Sequence, residues 1–103
     1  VSPMNFKILR DNERYVVADC VVGGWTYSVT VLHPQQETLG HKHSYEEAYS
    51  FLFGSGEMLL DCNVLQVARG TSLWVQSNSH HRVRNLSKHE PLVFTCIFKG
   101  NRT

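Results

Sequence analysis

Short β-branched and aromatic runs recur along the chain, and no stretch holds a helical period. The clearest is WTYSVTV. Trp25, Tyr27, Val29 and Val31 fall on one parity, and Thr26, Ser28 and Thr30 on the other, so a strand here has an apolar and a hydroxyl face. The hydroxyl face is expected to meet solvent, with a polar cavity lining as the alternative. Comparable runs predict strands over residues 7–10, 14–19, 25–33, 39–43, 47–53, 56–60, 64–67, 72–75, 81–85 and 92–98. Between them stand turn formers such as VGGW, LHPQQ, GSG, DCN, ARG, QSNS and SKHEP. LLDCNVL reads as a tight hairpin, because Asp and Asn tolerate the left-handed conformation of short reversals. So many short strands cannot be buried as one open sheet, which predicts an all-β fold closed as a barrel or a two-sheet sandwich.

Length changes this picture only by limiting it to one domain: 103 residues suffice for a single core. Residues 1–24 are expected to add N-terminal strands, and 25–98 to form the barrel proper. With 42% hydrophobic and 18% charged residues the composition is that of a soluble globular protein, and no apolar run is long enough to span a membrane. A net charge of +1 without a basic stripe argues against a nucleic-acid partner. Cys20, Cys62 and Cys96 are widely spaced and form no C-x-x-C pair, which fits a reducing, cytoplasmic location better than a disulfide framework. The opening residues show no secretory pattern. Cys96, within LVFTCIF, reads as a small buried hydrophobe.

Chemistry enters at GHKHSYEEAYSFLFGSGEM. Strand alternation puts His41 and His43 on one face with Lys42 opposite, and Glu47 opens the next strand on a face shared with Tyr49, Phe51 and Phe53. Two imidazoles and a carboxylate beside aromatic rings are costly to bury unpaired, and a divalent cation removes that cost. Downstream, RGTSLWVQSNSHHRVRNLS supplies Gly70, a strand, a polar corner, His81 and Asn85. Together the two segments resemble the paired motifs of the cupin superfamily, G-x5-H-x-H-x3-4-E-x6-G and G-x5-P-x-G-x2-H-x3-N. His41, His43, Glu47 and Gly54 fill the first, and Gly70, His81 and Asn85 the second. Three turn positions depart from the pattern: Gln35 and Asn78 replace glycines and Gln76 replaces the proline. Asn78 is expected to keep its corner through a positive φ.

The resemblance implies a cupin-type jelly-roll barrel, also described as a double-stranded β-helix. It also implies one divalent transition metal (manganese, iron, nickel, cobalt or zinc) held by His41, His43, Glu47 and His81. His81 is preferred over His80 by its distance to Gly70 and Asn85. The surrounding text is similar to small cupins described as sugar isomerase-like. This implies an isomerase or epimerase acting on a small hydroxy-carbonyl substrate, with a metal-dependent dioxygenase and a non-catalytic ligand-binding module as alternatives. Lys42, Arg82 and Arg84 should point outward, so no strand cation is expected in the pocket, which disfavours a phosphorylated sugar. Tyr49 should face inward as a proton relay or substrate hydrogen bond, or else pack at the rim. Glu46 should face solvent, Trp74 should be core, and His33 and His89 have no assigned role. A homodimer is implied by the family.

Overall fold

The computed structural model describes residues 3–102, among which there are nine strands and no helix. They are β1 (Lys7–Asp11), β2 (Tyr15–Val22), β3 (Trp25–Leu32), β4 (Glu47–Phe53), β5 (Ser55–Leu60), β6 (Asn63–Ala68), β7 (Ser72–Val75), β8 (His81–Arg84) and β9 (Leu92–Lys99). Six form one antiparallel sheet in the order β1-β2-β3-β9-β4-β7, and three form a second in the order β6-β5-β8. The order brings the last strand between β3 and β4, as a jelly-roll barrel requires. Turn chemistry accounts for the tight reversals. Gly23 and Gly24, with φ of 58° and 82°, make the two-residue turn that registers Val22 against Trp25. Asp61, at φ 52°, starts the reversal that pairs Leu60 with Asn63.

The inner faces of the sheets meet over Leu32, Phe51, Met58, Val75, Val83 and Phe98, all almost wholly buried. On β3 the alternation runs opposite to the solvent-facing reading: Thr26, Ser28 and Thr30 are buried. Leu32 decides this. It shares their parity and is fully buried at the strand's end, so the whole hydroxyl row turns inward with it. The other parity forms the outer face, where Phe6 packs edge-on against Tyr27 at 5.7 Å and Trp25 is half exposed.

Three other expectations fail for local reasons. Phe53 is exposed instead of sharing the inward face of Phe51, because the pairing of β4 with β9 slips by one residue between them. Trp74 is 59% exposed on the outer side of β7, opposite Ala48, and its indole donates to the Glu46 carboxylate at 3.0 Å. Residues 39–43 do not form a strand. The segment runs antiparallel beside β8, with Asn85 N donating to Gln36 O, Thr38 N to Val83 O, and His41 and His81 exchanging backbone bonds at 3.2 and 2.9 Å. Its register shifts by one residue between the Glu37↔Arg84 and His41↔His81 bridges, so it forms a bulged edge.

Both substituted glycine positions keep the backbone their motif needs, with φ of 63° at Gln35 and 64° at Asn78. Gly54 admits no side chain, since φ is 85° and a Cβ there would overlap the Pro91 carbonyl oxygen. Asn85 acts as a staple. Its amide donates to Leu32 O, His33 O and Glu90 O, and its oxygen accepts from Ser87 N, tying β8 to the ends of β3 and the β8–β9 connection.

Candidate metal centre

Three elements bring the four predicted ligands together. His81 opens β8 and is 1% exposed, Glu47 opens β4 and is 2% exposed, and His41 and His43 come from the irregular segment between β3 and β4. One donor atom from each lies within 4.8 Å of the other three, and this group could hold a metal ion. The imidazole centroids stand 5.2 Å (41–43), 4.4 Å (41–81) and 5.0 Å (43–81) apart. His80 is not among them. Its backbone N–H donates to Asp61 Oδ1, and its ring lies against Gly40.

His41 and His43 do not converge through strand alternation. Each ring is aimed by a tether: His41 Nδ1 lies 3.2 Å from Leu39 O, His43 Nδ1 3.1 Å from Tyr45 O, and His81 Nδ1 2.9 Å from Ser79 O. A carbonyl oxygen only accepts, so each Nδ1 carries the proton and each neutral ring leaves a lone pair on Nε2. Those lone pairs face a carboxylate. Glu47 Oε1 touches His43 Nε2 and lies 3.2 Å from His81 Nε2, yet Glu47 Oε1 and His81 Nε2 are buried without a hydrogen-bond partner among the described residues. Acceptors pointed at one another underground need a cation between them.

A proton can fill part of that gap, and the ionisation of the site follows from it. For Glu47, burial raises the carboxyl pKa, but hydrogen bonding from His81 and Cys96 and the nearby His43 charge outweigh it and leave the carboxyl below its usual range. For His81, burial lowers the imidazole pKa, and bonding to Glu47 and to the Ser79 carbonyl more than reverses that. His41 moves the other way, pushed down by burial and then by the His81 charge. The donor set suits a divalent transition ion: three neutral imidazole nitrogens and one carboxylate, each ring held by a backbone acceptor as metal-bound histidines usually are.

The open side of this group faces a cavity of about 400 Å³ reached by His41 and Glu47. Tyr49 and Cys96 also line it. The Tyr49 ring sits 5.9 Å from that of His81, and burial holds its hydroxyl well above the ordinary phenol range. Cys96 is more than the small hydrophobe its sequence context suggests. Its thiol donates to Glu47 Oε2, and burial followed by the Glu47 charge raises its pKa strongly. Tyr49 therefore keeps its proton beside the cavity, whereas the single Cys96 proton is committed to Glu47.

The far wall is the polar lining kept as the alternative for the β3 hydroxyl face, and it includes one residue that sequence reasoning missed. Ser28 and Thr30 line the cavity, and so does Arg102, which lies beyond β9 in a segment without motif or period. The expectation that no strand cation enters the pocket fails at Arg10 of β1, which also lines the cavity, and Arg102 adds a second cation from outside the strands. Lys42 is exposed as expected, while Arg82 and Arg84 are half-buried in a surface network with Glu37 and Glu57.

An all-β barrel in which three imidazoles and a carboxylate meet beside a cavity defines a class, the β-barrels with a candidate metal site. The cupin domain family matches residues 28–98, and the chain belongs to that family. An uncharacterised protein of Methanocaldococcus jannaschii is 34% identical over 61 residues, which cover 58% of this chain and 48% of that protein. The chain thus matches about half the length of that curated relative. Among solved structures, a predicted oxalate decarboxylase from Thermotoga maritima superposes with a TM-score of 0.78 at 15% identity, over 95% of this chain and 94% of that one. An RmlC-like cupin from Shewanella frigidimarina gives 0.81 at 12% identity, over 94% and 86%. At these identities the likeness shows the fold alone. No helix among the described residues is long and apolar enough to cross a membrane.

Proposed function

We propose that the chain is a metal-dependent cupin that turns over a small hydroxy- or keto-carbonyl compound in the cavity beside His41, His43, Glu47 and His81. The observation that carries this reading is the convergence, within 4.8 Å, of one donor atom from each of three imidazoles and a carboxylate beside a cavity of about 400 Å³ that His41 and Glu47 line. A divalent ion held there would act as a Lewis acid toward substrate oxygens. The chain's own contributions are positional: the Nδ1 tethers aim the rings, Cys96 orients the Glu47 carboxylate, and Tyr49 donates its hydroxyl proton to an oxygen that gains charge.

An isomerase or epimerase remains the first reading within this class, and the sugar isomerase-like sub-family is part of the same proposal. An oxygen-consuming reaction is the second. One observation favours it: Tyr49 and Cys96 are both held protonated, so neither supplies the base that abstracts a carbon-bound proton. Protein loaded separately with manganese, iron, nickel, cobalt and zinc, given a panel of hydroxy-carbonyl compounds in heavy water, separates the two. Deuterium entering a C–H position without oxygen uptake supports isomerisation, whereas iron-dependent oxygen uptake supports the second. A non-catalytic module would show metal-induced stabilisation with neither. Tyr49→Phe is expected to lower turnover by about 10²-fold and leave metal content unchanged.

A homodimer is proposed on the apolar residues left exposed outside the six-stranded sheet, among them Phe6, Ile8, Val22 and Trp25. Light scattering at about twice 11.8 kDa is the expected result. The cytoplasmic location is likewise a proposal, supported by three free cysteines.

A further inference from the structure

The cavity has a charged end that the metal reading does not use. After β9 the backbone turns at Gly100, φ 92°, whose N–H donates to Gly24 O at 2.6 Å and pins the segment to the β2–β3 turn. This sends Arg102 back over the inner face of the six-stranded sheet, its guanidinium carbon 5.2 Å from the centre of the Phe98 ring. Buried Asp19 on β2 fixes the fork: Nε lies 2.7 Å from Oδ2 and Nη2 3.4 Å from Oδ1, while Nη2 also donates to Ser28 Oγ at 3.0 Å. Among the described residues Nη1 makes no hydrogen bond, and neither does the Thr30 hydroxyl in the same cavity wall. A guanidinium whose Nε edge is locked by a buried carboxylate presents its remaining donors in a fixed direction.

We propose that Arg102 Nη1, with the Thr30 hydroxyl, binds the distal carboxylate of an acidic substrate whose hydroxy- or keto-carbonyl end sits at the metal centre. The assignment rests on the metal reading of the same cavity, and it names the substrate class. Register sets the scale. Ser28 on β3 pairs with Cys96 on β9, which pairs with Tyr49 on β4, so the arginine wall and the strand carrying Glu47 are two strand intervals apart. That is roughly 10 Å, the reach of a chelating head joined through two or three carbons to a second acid group. Charge selects the kind of acid. Asp19 offsets the charge of Arg102, and the other cation lining the cavity, Arg10, is exposed and donates to Leu9 O, so the donors at this wall suit a singly charged carboxylate better than a phosphate dianion.

The test compares 2-hydroxyglutarate with 2-hydroxypentanoate, which share the chelating head and differ in the distal carboxylate, by calorimetry on the zinc-loaded protein. The expected result is at least tenfold tighter binding of the diacid, an advantage lost in Arg102→Gln while zinc affinity and 2-hydroxypentanoate affinity stay within about twofold. Because Arg102→Gln strands Asp19, the double variant Asp19→Asn, Arg102→Gln and the single variant Thr30→Val accompany it, and both are expected to reduce the advantage. Equal affinity for the two acids in the wild type, or an advantage that survives all three variants, overturns the proposal, as does tighter binding of 3-phosphoglycerate than of 2-hydroxyglutarate. A wild type that takes up no zinc overturns the metal reading instead.

Discussion

The two histidine-bearing regions of the site are built by different means. His81 stands on β8, paired with β5 on one side and bridged to His41 on the other, and is fully buried. His41 and His43 stand on a bulged segment without a continuous ladder, more exposed, with ring directions set by single Nδ1–carbonyl contacts. One half of the ligand set is therefore fixed by the sheet, and the other hangs on local tethers. A barrel can vary such a segment without disturbing its core, whereas a change at β8 reaches both sheets.

The contrast is broken most directly by removing one ligand from each side. His81→Ala should weaken zinc binding by more than about 10²-fold, because it removes the donor that faces Glu47 from the rigid side and leaves a buried carboxylate without its partner. His41→Ala should cost about tenfold, because its region can readjust and water can replace an exposed ring. Calorimetric titration with zinc reads both, and equal losses would remove the distinction.

Acid dependence sharpens it, since the two rings shift in opposite directions. His81 is raised from 6.5, so in the metal-free protein its contribution to stability is complete below pH 6.5 and is lost as pH rises through its folded value. His41 is lowered from 6.5, so its contribution is complete above pH 6.5 and is lost as pH falls through its folded value. Glu47, lowered from 4.5, adds a loss further into acid. Melting temperatures followed across pH should show His81→Ala flattening the alkaline limb and His41→Ala the limb just below pH 6.5. Added zinc should raise the melting temperature more at pH 8 than at pH 5.5, because His81 must shed its proton to bind.

A smaller effect comes from the hydroxyl that holds the bulged segment. Thr38 Oγ1 accepts from Val83 N at 2.9 Å, and Thr38→Val should cost about 1 kcal/mol and loosen zinc binding only a few-fold. A loss as large as that of His81→Ala would show that the segment is as integral to the barrel as β8.

What the sequence disclosed follows the same division. Strands, hairpin turns and the inward parity of Glu47 and Tyr49 were legible because alternation and turn chemistry are local. Segment 39–43 was misread as a strand: its composition is compatible with one, but the bulge arises from pairing with β8, which local pattern does not encode. The inward hydroxyl row of β3 was misread because the stretch was weighed without Leu32, whose parity settles it. Arg102 was invisible. Its position depends on a turn at Gly100 and a contact with Asp19, 83 positions away in the chain.

Long-range ¹H–¹⁵N correlation of the histidine rings, recorded at pH 8 before and after one equivalent of zinc, tests the central claim most directly. The account predicts that His41, His43 and His81 are all protonated on Nδ1 without metal, and that zinc shifts the Nε2 resonance of those three rings and of no other. An unprotonated Nδ1 in any of the three, or zinc shifts on His33, His80 or His89 instead, would contradict it.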